Sequence, residues 1–150
     1  MKKLFMLALA IVAAAALRAA ETDKTIPMPK RDQDVKINFS SDKAKIVSLE
    51  IQHYPDSDDV EKAKTKDLND THLTFWNFSV ENRNLDKKVR MKISIEVTGK
   101  DGSVVGKGDK SDTVDAGKLD DNIRVWMKMK TLDIVSAKSA KIHMSIEPKS

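Results

Sequence analysis

The sequence predicts an all-β protein, an immunoglobulin-like antiparallel β-sandwich of seven or eight strands, with a small β-barrel as the alternative. Three observations lead there. Beyond residue 33 apolar and polar residues alternate with a period of two, the mark of half-buried antiparallel strands. The alternating runs are short and bounded by turn-forming residues. No run carries the apolar spacing of a long amphipathic helix.

The chain opens with Lys2 and Lys3, followed by the uncharged apolar run Leu4–Leu17 and then small residues. Residues 1–20 read as a secretory signal peptide. Ala14-Ala15-Ala16 also fits the small-residue cleavage pattern, so a cut after Ala16 is the alternative to one after Ala20. The run is shorter than the ~20 apolar residues of a permanent membrane span, and no later stretch is long enough either. A protein that is periplasmic or secreted, without a transmembrane anchor, is the expectation. Residues 21–33, "ETDKTIPMPKRDQ", are polar and hold Pro27 and Pro29, so they read as a flexible or extended leader. Residues 34–150 then form a single domain, long enough to bury about two thirds of its unfolded surface.

Within that domain the strands follow in order. Val35, Ile37 and Phe39 share one face, as do Val47, Leu49 and Ile51. Residues 55–70 mix acids and bases without period and read as a solvated loop. Trp76, Phe78 and Val80 face one way. The clearest run sets Val89, Met91, Ile93, Ile95 and Val97 against Arg90, Lys92, Ser94 and Glu96. "TGKDGSVVG" turns it back as a hairpin, and Thr113–Val114 reads as a further short strand. Ile123, Val125, Met127 and Met129 point inward, as do Ala140, Ile142, Met144 and Ile146. Residues 131–139 connect these last two strands, with Leu132, Ile134 and Val135 placed to plug the sandwich edge.

The stretch Phe78–Gly108, "FSVENRNLDKKVRMKISIEVTGKDGSVVGKG", resembles the small bacterial Ig-like domains of the FxLYD type. A strand ends in an Asn, a short linker follows, and a long alternating strand runs into "DG" and a Val pair. The aromatic–aspartate pair that gives the family its name is absent. The resemblance implies an Ig-like fold and an accessory or binding role.

Composition narrows the chemistry. There is no Cys, which removes disulfides, thiol redox chemistry and thiolate metal sites. Loss of Lys2, Lys3 and Arg18 with the signal leaves 24 bases against 23 acids, interleaved along the chain. Nucleic acid binding would need a concentrated basic face. No nucleophile elbow, zincin helix or phosphate loop is present, because the glycines of "GKGDKS" (106–111) follow a hairpin rather than opening a helix. A hydrolase built on a carboxylate pair stays open, since such a pair carries no motif. No cofactor is expected.

Two candidate sites remain. Met127 and Met129 in "RVWMKMK" are soft ligands that, with His143, would suit a periplasmic copper protein. The alternation argues for core packing instead, since Met127, Met129 and Met144 share faces with Ile and Val while His143 points the other way. His53 and His72 lie at no ligand spacing, although Asp70 is placed to orient His72. Asp56–Glu61, "DSDDVE", offers oxygen ligands for Ca²⁺ but lacks the EF-hand glycine and is flanked by lysines. The other site is aromatic. Trp126 falls on the outward face with Arg124 and Lys128, and Phe75 points away from its apolar neighbours Trp76 and Phe78. Together they predict a surface for a macromolecular partner, another envelope protein or a glycan.

Overall fold

The structure is a computed structural model that describes residues 20–30, 33–40, 43–52 and 68–149. Two four-stranded antiparallel sheets lie face to face as an open β-sandwich, not closed into a barrel. The strands are β1 (Ala20–Pro27), β2 (Asp34–Ser40), β3 (Ala44–Gln52), β4 (Thr71–Asn82), β5 (Val89–Thr98), β6 (Val104–Val114), β7 (Leu119–Lys130) and β8 (Ser139–Pro148); among the described residues one α-helix, α1 (Thr131–Ser136), precedes β8. The strand orders are β1-β8-β5-β6 and β2-β3-β4-β7. The layering is that of a two-sheet β-sandwich; β1 pairs with β8, whereas antibody domains pair strand A with B. Among the described residues no helix is long and apolar enough to cross a membrane.

The alternation read from the sequence is the core. Val89, Met91, Ile93, Ile95 and Val97 of β5 are buried, as are Ile123, Val125, Met127 and Met129 of β7 and Ala140, Ile142, Met144 and Ile146 of β8. Beside β7 in its own sheet and opposite β5 and β8, Trp76, Phe78 and Val80 of β4 join Ile46 and Leu49 of β3 and Ile37 and Phe39 of β2. Each large side chain buried this way contributes about 1.5–3 kcal/mol. Asn82, itself buried, closes one end. Its Nδ2 donates to the carbonyls of Lys87, Val114 and Asp115 at 2.9, 3.1 and 3.0 Å, and its Oδ1 accepts from Asn84 N at 2.9 Å. That amide ties the end of β4 to the start of β5 and the end of β6. At the other end of β5 the expected hairpin is present: Gly99 N donates to Ser103 O at 2.9 Å, and Gly102 takes the left-handed φ of 85°.

Four expectations are corrected. The leader is not free, because residues 20–27 form edge strand β1, paired with β8 from Ala20↔Ile146 to Pro27↔Ser139. The sandwich therefore includes residues 20–27, ahead of residue 34. Among the side chains described in this strand only Ile26 is a buried apolar one, so it carries almost no periodic signal; the pairing comes from its backbone. In β3 a register shift between Ile46 and Ser48 leaves Val47 as the extra residue of a bulge. Val47 is turned out and Ile46 takes the core position. Thr113 and Val114 do not form a strand of their own; they end a strand that runs unbroken from Val104 through the glycines. In α1, Ile134 alone plugs the edge, while Leu132 is exposed.

The glycines of β6 have a steric reason. A Cβ on Gly106 would lie 2.6 Å from Met129 Sδ, and one on Gly108 would lie 2.5 Å from the Trp126 carbonyl oxygen. Their absence lets the β6 edge of one sheet close on the β7 edge of the other. This seam holds β7 with Met127 and Met129 inside and Trp126 outside.

Candidate partner-binding site

The outward residues of β7 meet those of β4 in direct register: Arg124 opposite Asn77, Trp126 opposite Phe75, Lys128 opposite Leu73 and Lys130 opposite Thr71. The Phe75 and Trp126 rings lie with centroids 4.6 Å apart at an interplanar angle of 47°. The Arg124 guanidinium carbon sits 5.0 Å from the Phe75 ring centroid, a cation–π contact. Trp126 stays 46% exposed and Leu73, diagonal to it across the strand pair, 50%. Phe75 is only 4% exposed, which corrects the expectation that it shares the open patch with Trp126. It is the floor on which Trp126 and Arg124 rest, so an indole exposed to water is nevertheless braced.

Charge distinguishes this face from that of the other sheet. Arg124, Lys128 and Lys130 are exposed and form no ion pair with a described carboxylate. On the outer face of β1-β8-β5-β6 every lysine has a partner: Lys92 with Asp109 at 3.5 Å, Lys107 with Glu96 at 2.7 Å and Lys141 with Asp23 at 3.8 Å. Arg90 there stands in register with Glu147. Hydrogen bonding to His143 is the main reason the Asp23 carboxyl is held below the usual carboxylate range. A hydrogen bond from Lys107 does the same for Glu96, and that bond raises the Lys107 ammonium.

The soft-ligand candidates are not brought together. His143 lies on that outer face with Nδ1 2.5 Å from Asp23 Oδ1, whereas its neighbour Met144 is buried in the core. Met127 and Met129 are buried in the facing sheet, with the Met129 sulfur held over Gly106. His72 Nε2 pairs with Thr131 Oγ1 at 2.6 Å, and Asp70 enters through its backbone carbonyl, which accepts from Thr131 N at 3.0 Å. The expected orienting carboxylate is thus replaced by a hydroxyl at the head of α1. Among the described residues no three His, Asp or Glu side chains gather as a cation site. His53 and Asp56–Glu61 lie outside the described residues.

Sequence reasoning missed a shallow cavity of about 320 Å³ on the outer face of β1-β8-β5-β6, lined by Asp23, Ser94, Glu96, Lys107, Lys141 and His143. Strand register sets Asp23, His143 and Ser94 in one row. Their order resembles a relay of orienting acid, base and nucleophile. The Ser94 hydroxyl, however, makes no hydrogen bond to the imidazole, and β5 is paired on both sides, which engages the backbone donors an oxyanion would need. No local signal marks this row, because Asp23 and His143 are 120 residues apart in the chain.

No protein-family model matches the chain, and no curated protein matches it.

Proposed function

We propose that the chain is an exported, non-catalytic β-sandwich that binds a macromolecular partner of the bacterial envelope through the outer face of β4 and β7. The observation that carries this reading is Trp126. Its indole is nearly half exposed, yet it packs on Phe75, whose ring also carries the Arg124 guanidinium. An aromatic anchor ordered before the partner arrives loses little entropy on binding, and tryptophan is enriched among residues that dominate interface energies. The signal-like start supports export, and the resemblance to FxLYD-type domains supports an accessory binding role.

The test is capture of partners from a periplasmic fraction by the wild-type protein and by Trp126→Ala. Trp126→Ala is expected to weaken partner binding by about 2 kcal/mol, roughly thirtyfold, while the thermal midpoint falls by about 4 °C as the Phe75 ring is uncovered. A large fall in the midpoint with capture unchanged would reassign the ring to packing.

A further inference from the structure

Resting on that reading, we propose that the partner presents an acidic polypeptide segment in extended conformation, lying along β7. Successive outward residues of β7 are Arg124, Trp126, Lys128 and Lys130. Alternate residues of a strand recur about every 6.8 Å. Any extended polypeptide repeats its same-side groups at the same interval, so acids at alternate positions fall opposite the three cations. A central apolar side chain then meets Trp126.

Charge complementarity selects the sign. The three cations form no ion pair with a described carboxylate, in a molecule whose lysines on the opposite face are all paired. Glu50 lies on the same face, but Asn77 separates it from Arg124 in the strand register. Asp120, further back along β7, is engaged by the backbone N–H of Asn122 at 3.0 Å. The second apolar contact selects a protein over a sugar. Leu73 stands diagonal to Trp126 and is half exposed. A pyranose stacks on an aromatic face but gains little from an aliphatic side chain, whereas an apolar amino-acid side chain packs against both.

The experiment uses fluorescence anisotropy with the whole mature chain and a labelled short synthetic peptide, glutamates at alternate positions flanking one phenylalanine. The expected result is saturable binding at ~50 mM salt that weakens at least tenfold at ~500 mM, as screening of exposed charges requires. Binding should also weaken at least tenfold in Trp126→Ala and in the double variant Arg124→Glu/Lys128→Glu. Lys107→Glu, on the opposite face, should leave it unchanged. No saturable binding, equal binding of a lysine version of the peptide, or tighter binding of polygalacturonate, an anionic glycan, would each overturn the proposal. If capture from the periplasmic fraction needs Trp126 but ignores salt and the double variant, the binding reading survives and the acidic segment falls. If capture ignores Trp126 as well, both fall.

Discussion

The two outer faces of this sandwich are built from the same alternation and differ in what their charges do. On β1-β8-β5-β6 the charged side chains neutralise one another across the strands, Asp23 with Lys141, Glu96 with Lys107 and Asp109 with Lys92, and Asp23 also hydrogen-bonds His143. Exposed pairs of this kind contribute little to stability, because water and salt screen them. Their effect is to leave that face without a net field. On β4–β7, Arg124, Lys128 and Lys130 stand around an aromatic pair without such partners among the described residues. A surface that satisfies itself has little to offer another molecule, whereas one that keeps three ammonium and guanidinium groups solvated around an indole has both a steering field and an anchor.

The seam between β6 and β7 is where the comparison breaks most severely. Gly108→Val is expected to cost about 3 kcal/mol of unfolding free energy, because the new side chain meets backbone at Trp126 rather than a movable side chain. Denaturant melts would show the loss, and both faces should lose order with it. Phe75→Ala comes next. It removes a buried ring from beneath Trp126, with an expected loss of about 2 kcal/mol in the same melts. It should cost more stability and less partner affinity than Trp126→Ala, which separates the floor of the site from its contact surface.

Smaller effects belong to the paired face. Lys107→Ala should leave denaturant melts essentially unchanged, since both partners are solvent-exposed. A larger change would mean that the charge pairs of this face do more than neutralise it. The pH response is the finest test. Asp23 and Glu96 have folded pKa values below their unfolded ones. Their contribution is therefore present above the ordinary carboxylate range and is lost as pH falls through the lowered values. Thermal melts should show stability drifting down on acidification, and Asp23→Asn should remove part of that slope. Arg124→Gln should leave the slope untouched, because the β7 cations have no carboxylate partner among the described residues.

Where the sequence was a poor guide, the cause was a low local signal or a distant partner. Among its described side chains β1 has one buried apolar residue, so its backbone pairing with β8 left no periodic trace. The bulge at Val47 shifts the alternation by one residue, and only the register against β4 reveals which valine or isoleucine turns inward. Gly106 and Gly108 carry no strand signal of their own, because what they permit is close approach to β7 of the other sheet. Phe75 was correctly placed on the outer side of its strand, but its burial depends on Trp126 and Arg124 arriving from β7.

The sequence alone determined that this is a β-protein, which side of β5, β7 and β8 each residue occupies, and hence that the methionines pack inward while Trp126 faces out. These are consequences of side chains changing sides at each residue, a property of the local backbone. Tertiary structure alone decided that β1 lies against β8, that Trp126 rests on Phe75, and which cations meet a carboxylate. Those outcomes depend on register between strands far apart in the chain, which no run of neighbouring residues encodes.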